Sequence, residues 1–126
     1  LVPILEPEVT ISIADKDEAE QMLLAEILSH LDTVPEGKQV MLKLSLPTEP
    51  NRYKPLVDHP KVLKVVALSG GYSRDEANEK LAKNTGMIAS FSRALTEGLS
   101  AQQSDAAFNA MLEEAITSIH AASVAG

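Results

Sequence analysis

Short apolar runs alternate with amphipathic helical segments along this chain. Four runs have the composition of buried strands, at residues 2–9, 40–46, 62–68 and 87–91. Each is followed by a segment with helical spacing or by a loop with helical potential. Strand and helix in repeated alternation predict a parallel sheet with helices packed outside it.

The helical segments are predicted at residues 15–31, 74–84, 93–99 and 104–122, with a single turn near 53–58. Ser73 and Glu76 have the S-x-x-E spacing of a capping box, which marks the start of the second of these helices. The charged run at 14–20 is interpreted as a solvated helix start. One face of the last helix is apolar and is interpreted as core or interface; it carries Phe108, Met111, Leu112, Ala115, Ile116 and Ile119.

Two architectures fit this alternation: a small doubly wound sheet and half of an eight-fold barrel. A complete barrel needs about 250 residues and eight strand–helix units, whereas this chain has 126 residues and four such runs. The chain also opens Leu1-Val2-Pro3 without Met, as though in mid-strand. We therefore predict an α/β fold in which residues 1–126 form one partial barrel, part of something longer.

The composition excludes several classes of function. The net charge of −7 argues against a nucleic-acid or anionic-membrane surface. The chain has no cysteine, which excludes disulfides and thiolate chemistry. No apolar run reaches the roughly 18 to 20 residues of a membrane span. Aromatic residues make up 3% of the chain, so an aliphatic core is expected.

Lys43 is the residue most indicative of chemistry, because it stands in the middle of an apolar strand. Burial favours a neutral amine, which is a nucleophile able to form a Schiff base with a carbonyl substrate. The alternative is an edge strand whose lysine reaches into water. Alternation places Met41 and Ser45 on the same face as Lys43, and Ser45 is included among the predicted substrate-binding residues.

Acidic and anion-binding residues follow the other strands. Glu6 and Glu8 point to one face of the first strand, where a carboxylate beside Lys43 could move protons; alternatively, either is solvated at a strand end. The turn Ser69-Gly70-Gly71 and the pair Ser92-Arg93 are candidate phosphate-binding groups, although two glycines alone are also typical of a plain turn. His30, His59 and His120 lack metal-ligand spacing and are interpreted as structural or surface residues, so no metal is predicted.

With these residues assembled, the chain resembles the carboxyl-terminal half of class I fructose-bisphosphate aldolase, in its bacterial-type branch. Four stretches in family order carry the resemblance: LVPILEPEV at 1–9, VMLKLSLP at 40–47, HPKVLKVVALSGGYSRDEAN at 59–78 and GMIASFSRALTEGL at 86–99. The resemblance covers nearly the whole chain. It implies half of a TIM barrel and a cytoplasmic lyase of glycolysis and gluconeogenesis. That enzyme cleaves fructose 1,6-bisphosphate reversibly to dihydroxyacetone phosphate and glyceraldehyde 3-phosphate.

The resemblance also implies residue roles. Lys43 is the Schiff-base lysine, Glu6 the catalytic acid/base and Glu8 a supporting acid. Ser69, Gly70, Ser92 and Arg93 match positions that bind substrate phosphate. No metal or cofactor is implied, because the protonated imine is the electron sink.

The family's other active-site residues, an aspartate and a second lysine, lie in the half that is absent here, and the tyrosine near the carboxyl terminus of the animal enzymes has no counterpart. The expected partners are therefore a phosphorylated sugar and either the missing half-barrel or another copy. A non-catalytic phosphate-binding half-barrel and a different Schiff-base barrel lyase stay open as alternatives.

Overall fold

The computed structural model describes all of residues 1–126. Strands and helices alternate until the last two helices, which follow each other directly. The elements are β1 (Ile4–Leu5), α1 (Lys16–Leu31), β2 (Val40–Ser45), α2 (Lys54–Val57), β3 (Val62–Leu68), α3 (Arg74–Leu81), β4 (Ile88–Ala89), α4 (Arg93–Thr96) and α5 (Asp105–Ala125). None of these helices combines the length and apolar character needed to cross a membrane.

The four strands form one parallel sheet in the order β1-β2-β3-β4. Spatial neighbours are therefore also neighbours along the chain, and the order nowhere reverses. A doubly wound sheet requires such a reversal, so the structure contradicts that alternative. The predicted α/β class with a single parallel sheet is confirmed.

The two outer strands are shorter than the apolar runs predict. β1 covers two residues where the pattern predicts residues 2–9, and β4 covers two where it predicts 87–91. Each outer strand has a hydrogen-bonding neighbour on one side only, so its ladder is easily interrupted. The inner strands β2 and β3 pair over six residue pairs, with one irregularity between Val40 and Met41.

The two faces of the sheet differ in burial. Leu42, Leu44 and Val65 are fully buried and belong to a core shared with the helices. On the opposite face Met41 is half-buried and Lys64 is exposed. Because side chains alternate along a strand, the sheet packs its leucines on the helices, and its other face is less buried, with Val66 and Ser45 as its covered positions.

Side chains mark the ends of the helices. The Ser73 hydroxyl accepts the Glu76 amide N–H at 3.3 Å, which confirms Ser73 as the N-cap and the start of α3 after it, although the Glu76 carboxylate contacts the Ser73 hydroxyl and not its backbone N–H. That helix ends at Leu81, before the predicted Asn84. The buried side chain of Asn84 makes other hydrogen bonds: its Nδ2 donates to the Lys80 carbonyl, and its Oδ1 accepts the Asn51 N–H. The loop after β2 is thereby tied to the end of α3.

The apolar face of α5 is only partly buried. Ala115, Ile119 and Ala122 pack inward, whereas Phe108 and Ile116 are exposed. The face predicted as core or interface is therefore core only in part, and the interface role of its exposed part stays a prediction.

The interpretation of residues 14–20 as a solvated helix start is wrong for two of its charges. Lys16 is 6% exposed and Glu20 is fully buried, and the two form an ion pair. The Lys16 Nζ also donates to the Leu46 carbonyl at 2.9 Å, and Glu20 Oε2 accepts the Thr48 N–H at 2.9 Å. The loop that follows β2 covers the first turn of α1, so protein groups replace water around these charges.

Arg52 completes this buried cluster from the same loop. Its Nε lies 3.3 Å from Glu20 Oε2, and its guanidinium also contacts the Asp17 carboxylate. The neighbouring Tyr53 is fully buried, and this burial, together with the negative charge of Glu20, raises the pKa of the phenol well above its usual range. The loop at the carboxyl end of β2 is thus held by buried charges rather than by apolar packing alone.

Candidate active site

One polar cleft of about 160 Å³ gathers residues that follow, or stand in, all four strands. Glu6 and Glu8 come from the segment after β1, and Lys43 stands in β2. Ser69 and Gly70 follow β3, and Ser92 and Arg93 follow β4. Parallel strands end at one edge of a sheet, which is why residues so distant in sequence meet there. Seven of the nine predicted site residues line this cleft.

Lys43 and Glu6 form the closest charged pair in the cleft. The Nζ of Lys43 lies 3.3 Å from Glu6 Oε2, and the two side chains are 28% and 54% exposed. Lys43 is therefore not buried among apolar neighbours as the strand pattern alone suggests. Water and the Glu6 carboxylate both reach the amine.

The glycine turn after β3 has a backbone shape that would let a ligand approach it closely. Gly70 and Gly71 have φ values of +65° and +107°, in the region that favours glycine. Their N–H groups donate to no backbone carbonyl, while the Tyr72 N–H closes the turn on the Ser69 carbonyl at 3.0 Å. A Cβ at Gly70 would lie 2.9 Å from Ile11 Cγ2. Gly70 borders the cleft, whereas Gly71 lies behind it.

Arg93 is the only arginine that lines the cleft, and its guanidinium forms no ion pair. The other two arginines are engaged elsewhere. Arg52 belongs to the buried cluster described above, and Arg74 donates to the Ala94 carbonyl at 2.8 Å. An unpaired guanidinium in a cleft is well suited to an anionic group on a ligand.

Ser45 does not line the cleft. Its hydroxyl is buried and makes two hydrogen bonds to the backbone of Val9: it accepts the N–H at 3.0 Å and donates to the carbonyl at 3.0 Å. Both capacities of the hydroxyl are used within the protein. The geometry therefore does not favour the expected substrate contact for this residue.

Two further residues line the cleft that the sequence reasoning did not select, Leu68 and Ser90. Leu68 ends β3, and the Ser90 N–H continues the β4 ladder by donating to the Ala67 carbonyl at 2.7 Å. Their position at strand ends is the signal that could have identified them, since Ser90 lies two residues before Ser92.

No group of three or more histidine, cysteine, aspartate or glutamate side chains is placed to hold a metal ion. His30 and His120 are exposed and His59 is half-buried, and none of them lines the cleft. The chemistry available in the cleft is that of an amine, two carboxylates, hydroxyls and a guanidinium.

Comparison with known proteins gives a consistent result, although no family model matches the chain. Proteins named fructose-bisphosphate aldolase class 1 from Synechocystis sp. and Porphyromonas gingivalis are each 58% identical to it over 124 residues. One of the same name from Clostridium acetobutylicum is 52% identical over 124 residues. Each match covers 98% of this chain but only 41–42% of the relative.

Identity of this extent over 98% of the chain confirms the resemblance found in the sequence. The chain spans about two fifths of the length of these relatives. Over 98% of its own length, the chain is similar to proteins named fructose-bisphosphate aldolase class 1.

Proposed function

We propose that this chain supplies the Schiff-base half of a class I aldolase, a cytoplasmic enzyme of glycolysis and gluconeogenesis. The reaction is the reversible cleavage of fructose 1,6-bisphosphate to dihydroxyacetone phosphate and glyceraldehyde 3-phosphate. The observation that carries the proposal is the cleft in which an amine and a carboxylate lie 3.3 Å apart, beside a guanidinium and a glycine turn. The family of the relatives supports the same chemistry.

Lys43 is the nucleophile in this proposal. Its neutral amine attacks the ketone carbon of the sugar, and the resulting carbinolamine loses water to form a protonated imine. The cationic nitrogen then accepts the electron pair of the breaking C3–C4 bond, after the proton on the C4 hydroxyl is removed. The triose that stays attached is protonated on carbon and released by hydrolysis, which restores the amine.

Glu6 is the proton carrier that best fits this sequence of steps. Its carboxylate is within 3.3 Å of the Lys43 Nζ, so it can take a proton from the ammonium form to free the attacking amine, and later donate a proton to the carbinolamine hydroxyl, which leaves as water. Glu8 lines the same cleft and contributes a second negative charge near the amine. The negative charge of two carboxylates beside Lys43 would also stabilise the positive charge of the imine.

The substrate phosphate is proposed to bind at the opposite wall of the cleft. Ser69, Gly70 and Ser92 offer hydroxyl and amide groups, and Arg93 offers a guanidinium. Gly71 does not line the cleft, and its φ of +107° favours glycine in the turn. A Cβ at this position would make only an ordinary contact with Arg93 Nη1, at 4.0 Å.

Replacing Arg93 with alanine is expected to weaken phosphorylated ligands far more than fructose itself. A charge-assisted hydrogen bond contributes about 1.5–3 kcal/mol, which corresponds to a roughly ten- to hundredfold loss in binding. The measurement is the concentration of dihydroxyacetone phosphate, or of unphosphorylated dihydroxyacetone, that gives half-maximal borohydride trapping. Arg93→Lys keeps the charge without the planar fork and should lie between alanine and wild type. An equal loss for both ketones would mean that Arg93 only supports the fold.

A second candidate function, a phosphate-binding half-barrel without turnover, is favoured by the openness of the cleft. Lys43 is 28% exposed and Glu6 is 54% exposed, whereas covalent catalysis is helped by exclusion of water. The aspartate and second lysine that the family resemblance requires have no counterpart among these residues. We therefore propose that full aldolase activity needs the other half of the barrel on the less buried face of the sheet.

The 126-residue chain by itself is expected to associate and to lack normal aldolase turnover. β1 and β4 each leave one edge unpaired, and Ile4, Leu63 and Ile116 are each about half exposed. Such edges and apolar side chains are covered in stable proteins. Sedimentation and a cleavage assay on the purified chain test both expectations. A stable monomer with full turnover would overturn the half-barrel proposal.

A further inference from the structure

Beyond a two-residue ladder, the segment after β1 is held to β2 by a side chain. The ladder pairs Ile4 with Met41 and Leu5 with Leu42, and then stops. Beyond it, the Ser45 hydroxyl accepts the Val9 N–H and donates to the Val9 carbonyl, each at 3.0 Å. Ser45 is 1% exposed and Val9 is 9% exposed, so water does not compete for these bonds.

These two bonds bear directly on the cleft. Val9 lies one residue after Glu8 and three after Glu6, and both glutamates follow a strand that is only two residues long. Nothing in the ladder fixes the backbone of residues 6–8, whereas Leu5 on one side and Val9 on the other are anchored. The position of the carboxylates relative to the Lys43 Nζ therefore depends on the anchor at Val9.

We infer that Ser45 is a positioning residue for the imine-forming reaction, acting through Val9 on the two glutamates without touching substrate. This inference rests on the proposed function, and it replaces the substrate-binding role predicted from the sequence. One hydroxyl in β2 thus supports the carboxylate side of the cleft.

The test compares Ser45→Ala with Ser45→Thr, which keeps the hydroxyl on a side chain suited to strands. The matched control is Ser118→Ala. Ser118 also makes two bonds, donating to the Ala115 carbonyl at 3.0 Å and accepting the Asn78 side-chain amide at 3.2 Å, but it joins α3 to α5 away from the cleft.

Borohydride trapping with dihydroxyacetone phosphate supplies the kinetic readout. With Ser45→Ala we expect the rate at saturating ketone to fall roughly ten- to hundredfold, the effect of a misplacement of about 1 Å at a reacting centre. The half-saturating concentration should stay near the wild-type value, because the phosphate-binding side chains are unchanged. Ser45→Thr should restore most of the rate, and Ser118→Ala should leave it unaltered.

Hydrogen exchange at the Val9 amide supplies a readout that does not need the reaction. This amide should be protected in the wild type and in Ser118→Ala, and should exchange much faster in Ser45→Ala. If the wild type traps no ketone, the proposed function fails, and the exchange of Val9 still shows whether the anchor exists. If threonine does not fold, Ser45→Cys, which is close to serine in size, takes its place with an intermediate rate expected.

Three results would overturn the inference. One is an unprotected Val9 amide in the wild type. Another is trapping of dihydroxyacetone phosphate by Ser45→Ala at the wild-type rate. The last is a rise in half-saturating ketone as large as the loss of rate, since that would make Ser45 a substrate contact.

Discussion

Substituting Lys43 with methionine is expected to abolish covalent trapping of dihydroxyacetone phosphate while leaving the fold intact. The adduct forms only through a primary amine, and Lys43 is the one lysine in the cleft. Methionine is flexible and suits an apolar strand, and the lost ion pair is partly exposed and worth less than about 1 kcal/mol. In the complete enzyme, the same change should remove turnover.

The measurement is the mass of the borohydride-reduced adduct, followed by peptide mapping of the modified lysine. Lys64→Met is the matched control, because Lys64 pairs in register with Met41 on the same face of the sheet but lies outside the cleft. It should trap ketone as the wild type does. An adduct mapped to any lysine other than Lys43 would refute the assignment of the nucleophile.

Replacing Glu20 with alanine is expected to destabilise the chain by about 3–5 kcal/mol, the usual cost of removing one partner of a buried ion pair. Glu20 is fully buried and contacts Lys16, the Thr48 N–H and Arg52. Without it, Lys16 would stay buried with no carboxylate partner, and Arg52 would keep only Asp17. This loss is a large part of the roughly 5–15 kcal/mol that stabilises an ordinary domain.

Urea unfolding followed by circular dichroism measures this effect, with a fall in the midpoint of about 1 M or more expected. Glu18→Ala is the matched control, because Glu18 is exposed on the same turn of α1 and forms no ion pair. It should change the free energy of unfolding by less than about 0.5 kcal/mol. Similar effects of the two substitutions would show that the buried cluster does not hold the loop.

Much of the fold follows from local patterns in the sequence. The run at residues 62–68 and the strand β3 coincide, and the first helix begins within one residue of its predicted start. The lengths of the edge strands were harder to predict, because the length of a strand depends on its neighbours as well as on its own residues. β1 and β4 have apolar sequence for longer strands, but each has only one partner in the sheet.

The candidate site was predictable where alternation and strand ends determine the direction of a side chain. Lys43, Glu6 and Arg93 line one cleft because their strands are parallel and terminate at one edge. Alternation also placed Ser45 on the face of Lys43, but the backbone of Val9 lies against its hydroxyl. Periodicity within a strand does not show which distant segment covers its last residue.

The sequence by itself determined the α/β class, the resemblance to class I aldolases and which residues bring an amine, carboxylates and a guanidinium to the cleft, since these depend on composition, spacing and ordered motifs. Only the tertiary structure decided which charges are buried and which are free. Lys16 and Glu20 stand in a run that is charged enough to be solvated, yet the loop after β2 covers them. Lys43 stands in an apolar strand, yet water and Glu6 both reach it. Burial of a charge depends on what packs over it from elsewhere in the chain, and local sequence does not contain that information.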